Sequence, residues 1–186
     1  MKTIDGVQLK IPNEMYENVA KTAVKLYVDL NITETPIEPL DIAKRKGFIV
    51  KPYSKLSGDK SSYVKNRDIN GMSYYYAKIG EYVILYDDSC VSAFQRFTVM
   101  HEIGHILLGH KQESELANQM ANYFAAYSLA PSPLIGLFNC ADALDIMREF
   151  DVSKPCAEIC IKRYMNWRDY GGELRDYEKK LLKLFK

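Results

Sequence analysis

One apolar run interrupted by two histidines and a glutamate constrains this chain more than anything else in it. It reads Phe97-Thr-Val-Met-His101-Glu102-Ile-Gly-His105-Ile-Leu-Leu-Gly-His110. On a helix, positions four apart point within about 40° of each other and stand about 6 Å apart along the axis. His101 and His105 can therefore aim two imidazoles at one point. Glu102 lies about 100° round from His101, close enough to reach a water on a bound metal without ligating it. Phe97, Val99, Met100, Ile103, Ile106, Leu107 and Leu108 cover nearly the whole circumference of the same helix, which places it at the centre of the fold. Polar groups on such a helix are costly unless something satisfies them. Bonds to main-chain carbonyls are one solution. The spacing better serves a zinc ion held by two neutral imidazoles, with an open position for water and a carboxylate to take its proton.

Composition narrows the setting. The 186 residues suffice for one good core or for one domain with an appendage. A net charge of +1 gives no strong field to recruit nucleic acid or a membrane. No apolar stretch reaches 18 residues, and the start, Met-Lys-Thr-Ile-Asp-Gly, soon turns polar. The expectation is a cytoplasmic protein whose Cys90, Cys140, Cys156 and Cys160 are reduced. Cys156 and Cys160 are four apart on an expected helix. No further Cys or His lies near them in sequence, so apolar packing is the expected role.

Taken in order, the pattern predicts a helix over 13–30, a loop over 31–36 and a second helix from Pro39 to Lys46, ended by Gly47. Phe48–Tyr53 reads as a strand with Pro52 at an edge or an end. Ser54–Asn70 reads as a long mobile loop. Gly71–Ala77 and Glu81–Tyr86 read as a hairpin turning at Gly80. The motif helix runs from Ser92 or Ala93 to Leu108 and stops at Gly109. The next runs from Glu115 to Ala130 and ends before Pro131-Ser-Pro133. Short helices follow at Ala141–Phe150, Cys156–Trp167 and Leu174–Phe185, with Ser153 as an N-cap and Gly171-Gly172 as a break. The pair joined by Phe150-Asp-Val-Ser-Lys154 has the outline of a helix-turn-helix. Residues 151–186 carry nine Lys and Arg against six Asp and Glu. So mild an excess, with no clear base-reading face, argues against DNA binding.

A hydrolytic zinc needs three protein ligands and a water. The extended pattern His-Glu-x-x-His-x-x-Gly-x-x-His fails here. It requires glycine at Leu108 and histidine at Lys111, whereas Gly109 and His110 are each one residue out of step. If the helix continues, His110 is turned about 140° from His105 and is expected to be an exposed helix-end residue. The acids at the start of the following helix are Glu113 and Glu115. Glu115, Asn118, Gln119 and Asn122 form a polar stripe along it, the spacing of a solvated face.

Arg96-Phe-Thr-Val-Met-His-Glu-Ile-Gly-His-Ile-Leu-Leu-Gly-His110, followed by Ala121-Asn-Tyr-Phe-Ala-Ala126 and Leu129-Ala-Pro131, resembles the ImmA/IrrE family of zinc-dependent peptidases. Pro36–Val50 and Phe150-Asp-Val-Ser153 resemble it as well. The likeness covers roughly residues 20–165. It implies an α+β, mainly helical zincin-like domain, with a mixed or antiparallel sheet of about three strands packed on the central motif helix. That domain is expected over 1–136, with a helical extension over 137–186. The resemblance further implies a cytosolic peptidase, often carried by mobile elements or phages, that cleaves a helix-turn-helix repressor. His101 and His105 would bind Zn2+ and Glu102 would act as general base.

The family's Glu-Ala-Asn-x-Phe-Ala, whose Glu is the third ligand, is here Met120-Ala-Asn-Tyr-Phe-Ala125. A thioether is a poor zinc ligand beside imidazoles. The third ligand is left among Glu115, Glu113, Asn118, Asn122 and a second water. The departure also admits an alternative: a metallopeptidase-like scaffold that binds a regulator without cutting it.

Overall fold

The computed structural model describes residues 13–56, 69–169 and 172–186. The long loop expected over Ser54–Asn70 falls mostly on residues 57–68, outside the described residues, as does Gly171. Helix α1 (Asn13–Asp29) buries Val19, Ala20, Ala23, Val24, Leu26 and Tyr27, the apolar stripe its spacing predicts. Helix α2 (Pro39–Arg45) starts on a Glu38 side chain that accepts from the Leu40 amide, with proline in its first turn.

Three strands form one mixed sheet. β1 (Ile49–Pro52) runs parallel to the central β3 (Glu81–Tyr86), and β2 (Gly71–Tyr76) pairs antiparallel with β3. β1 is shorter than the Phe48–Tyr53 expected. Pro52, with no amide hydrogen, is its last residue, and the chain turns into a short 3-10 segment at Tyr53–Lys55. Side chains alternate across the sheet. Ile84 and Tyr86 join the main core, while Val83 and Leu85 pack with Tyr53, Ile49, Leu56 and Met72 on the other side.

The motif helix α3 (Ser92–Leu107) crosses the main-core face of the sheet and touches α2, β2, β3 and α4 (Glu115–Leu129). Arg96, 8% exposed, anchors it. The guanidinium donates to the main-chain oxygens of Ile37 and Phe150 at 2.8 and 3.3 Å, and pairs with Glu38 and Asp151 at 3.1 and 3.3 Å. One side chain thereby ties the start of α2, the motif helix and the end of α6 (Ala143–Phe150).

Pro131-Ser-Pro133 does end α4, as expected. The same prolines also start an unexpected helix, α5 (Ser132–Leu137): Pro131 is its N-cap and Pro133 lies in its first turn. α7 (Lys154–Asp169) begins two residues before the expected Cys156, and α8 is Asp176–Leu184. Cys156 and Cys160 are buried free thiols in the main core. That core runs from Val19 to Leu181. Tyr27 Oη donates to the Ser128 carbonyl at 2.7 Å, and Tyr127 Oη to Glu178 Oε1 at 3.2 Å, which joins α1, α4 and α8 through buried contacts. Among the described residues, no helix is long and apolar enough to cross a membrane.

Candidate metal centre

His101, Glu102 and His105 reach a cleft of about 620 Å³ from the middle of α3. One wall is the start of β2, from Asn70 to Ser73. A further wall is α4, through Asn118 and Asn122, and the segment His110–Glu113 lines the cleft as well.

Two glycines set the spacing of these walls. A Cβ on Gly71 would sit 2.5 Å from Thr98 Cγ2 and 3.3 Å from Glu102 Oε1. Only glycine lets β2 come this close to α3. The approach brings Ser73, two residues on and on the same strand face, to donate its Oγ to Glu102 Oε2 at 2.7 Å. On the other side, a Cβ on Gly104 would stand 2.8 Å from the Phe124 ring. Its absence lets α4 seat against α3, and Asn122 Oδ1 then accepts from His101 Nδ1 at 2.9 Å.

His101 Nε2 and His105 Nε2 face each other at 3.0 Å. Two nitrogens about 2.0–2.1 Å from one tetrahedral cation are separated by roughly 3.3 Å, so the pair stands close to the span of two ligands on a shared ion. Asn122 holds the proton of His101 on Nδ1 and leaves the Nε2 lone pair bare, as a metal requires. Burial, followed by the His105 charge, lowers the His101 pKa to about 4. Burial and then His110 lower that of His105. Both imidazoles are therefore neutral at pH 7, the form that can donate to a cation, and they supply two of the three protein ligands a hydrolytic zinc takes. Among the described residues, no group of three His, Cys, Asp or Glu side chains is gathered to hold one.

Glu102 is 7% exposed. Burial raises its pKa to about 7, against the lowering effect of the Ser73 bond and with a further push from Glu113. It is a carboxylate held by one oxygen, poised near neutrality and lining the same cleft as the facing imidazoles.

The remaining expected residues separate. Glu113, Asn118 and Asn122 line the cleft. Glu115 does not line it; its carboxylate lies 3.5 Å from the Gln119 amide. Met120 is absent from the lining and packs against the main core, on another side of α4 from Asn118 and Asn122. Two of the four stripe residues, Asn118 and Asn122, thus line the cleft while staying exposed, so the solvated face and the cleft wall coincide there. His110, expected as an exposed helix-end residue, is half-buried, lines the cleft and touches His105. The sequence reading missed Ser73, Gly71 and Gly104. Period-two alternation on β2 signals only that residues 71 and 73 share a face.

A long helix packed under a small mixed sheet, within a mainly helical chain, makes this an α+β, zincin-like domain. The chain matches the family Peptidase_M78, described as IrrE N-terminal-like domain, over residues 60–159, and it belongs to that family. Among solved structures it is similar to a Mycobacterium tuberculosis transcriptional regulator, at 16% identity and a TM-score of 0.48. That match covers 76% of this chain and 45% of the regulator, so the chain spans under half of that protein's length. No curated protein matches.

Proposed function

We propose that this chain is a zinc-dependent peptidase of the ImmA/IrrE type, acting in the cytoplasm on a helix-turn-helix transcriptional repressor. The observation that supports it most is the pair of Nε2 atoms 3.0 Å apart, lining the same cleft as the buried Glu102 carboxylate. His101 and His105 would hold the zinc, which when bound supplies Lewis acidity to a carbonyl and acidity to water. Ser73 holds Oε2 of Glu102, leaving Oε1 to receive the proton of the attacking water. A base with a pKa near 7 can also return that proton to the leaving amine. The third ligand would come from Glu113, Asn118, Asn122 or a second water, the choices that stand at the cleft. Among the described residues, those that line the cleft all fall between Ile69 and Asn122. That supports reading 1–136 as the chemical unit and 137–186 as a covering extension. The repressor as substrate rests on the sequence resemblance.

One observation favours a second reading. The α4 face turned to the imidazoles offers two amides, Asn118 and Asn122. With no anionic ligand from that helix, zinc would be held more weakly, and the protein would bind a regulator without cutting it. Zinc content after chelator-free purification, with cleavage of a candidate repressor by the wild type and by Glu102→Gln, separates the two. One zinc per chain, cleavage by the wild type and none by the variant supports the peptidase. Little zinc and no cleavage, with the repressor still bound, supports the second reading.

A further inference from the structure

The end of α3 is built so that a third histidine touches the second. Gly109 has φ +71, the left-handed turn that glycine adopts freely. Its amide donates to the Ile106 carbonyl at 3.2 Å, and the His110 amide to the His105 carbonyl at 3.0 Å. These two bonds make a complete Schellman motif, in which the residue after the glycine folds back over the helix residue five before it. That contact is commonly apolar. Here it is His110 on His105, rings edge to face with centroids 5.0 Å apart and Nδ1 to Nδ1 at 3.1 Å.

We propose that His110 is a positioning residue for His105: its Nδ1 accepts the Nδ1 proton of His105 and so keeps the Nε2 lone pair turned toward His101. The inference rests on the metal reading above. The site then has two matching halves. His101 is oriented by an oxygen at the δ position of Asn122, and His105 by a nitrogen at the δ position of His110. His110 is not placed as a ligand of the same ion. It meets His105 at Nδ1, across the ring from the Nε2 that faces His101. Asn118 lines the same cleft as His105 and is the competing orienter.

The test is zinc affinity, measured by competition with a chromophoric chelator at fixed pH, for the wild type, His110→Ala, His110→Leu, His110→Asn and Asn118→Ala. Loss of an orienting partner weakens metal binding about 10–100-fold. That loss is expected for Ala and Leu at position 110. Asn, which keeps an acceptor at the δ position, should restore affinity to within about threefold of the wild type. Thermal unfolding of the metal-free proteins confirms that each variant is folded. Retained affinity in the Leu variant would assign His110 to packing alone. Equal loss in the Asn and Ala variants would make it a ligand. A loss confined to Asn118→Ala would pass the role to that amide. Each of these overturns the proposal. A wild type that binds no zinc removes the metal reading itself, an outcome visible before any variant is compared.

Discussion

Replacing Glu102 by Gln in the zinc-free protein should change stability in a way that depends on pH. The carboxyl is 7% exposed, and burial lifts its pKa from 4.5 to about 7. Between those values the unfolded chain has lost the proton and the folded chain keeps it. The unfolded state therefore binds fewer protons, and stability falls as pH rises. The wild type is most stable, in this respect, below 4.5 and has lost the whole contribution above 7. At 1.36 kcal/mol per pH unit the loss totals about 3 kcal/mol, with about 2.5 kcal/mol of it between pH 5 and pH 8. Gln is nearly isosteric, does not titrate and can still accept from Ser73. The stability of Glu102→Gln minus that of the wild type should thus grow by about 2.5 kcal/mol from pH 5 to pH 8. His101, whose pKa is depressed to about 4, pushes stability the opposite way with pH. It does so in both proteins and cancels in the difference. Urea unfolding with a chelator present, at several pH values and with unchanged m-values, reads the difference directly. A difference that stays flat from pH 5 to pH 8 would show that Glu102 titrates like a solvated acid and is not a base poised near neutrality.

Three further outcomes follow from the geometry. Asn118→Glu, which puts a carboxylate on the cleft face of α4, should raise zinc affinity at least about tenfold. Met120→Glu should not, because Met120 packs against the core; chelator competition compares them. Gly104→Ala would drive a methyl to 2.8 Å from the Phe124 ring, costing about 1–3 kcal/mol in urea unfolding. It should also shift the His101 imidazole signals in NMR as Asn122 moves away. Arg96→Ala leaves the carbonyls of Ile37 and Phe150 without their donor, and thermal or urea unfolding should show a loss of about 3 kcal/mol. Its ion-pair partners are half exposed and add little.

Local features of the chain were legible because short-range geometry sets them. Four-residue spacing on one helix is enough to bring His101 and His105 together, and the observed 3.0 Å between their Nε2 atoms needs no partner element. The hairpin at Gly80 and the stop at Gly109 followed from glycine's access to positive φ. The His110 contact was also written locally, in the sequence His-x-x-x-Gly-His. Continuing the helix past Leu108 turned His110 away, whereas the left-handed Gly109 turns it back.

What crosses between elements was not legible. A polar stripe on α4 has the same spacing whether it faces water or a cleft. Only the rotation of α4 against α3, set by Phe124 seating on Gly104, turned Asn118 and Asn122 to the imidazoles and Met120 to the core. Ser73 reaches Glu102 from 29 residues away because β2 closes on α3 at Gly71. The sequence by itself determined which side chains could meet within one helix and where that helix would stop. The packing of neighbouring elements decided what the site's other walls present, because side-chain partners across a gap depend on helix rotation and strand approach that no single segment encodes.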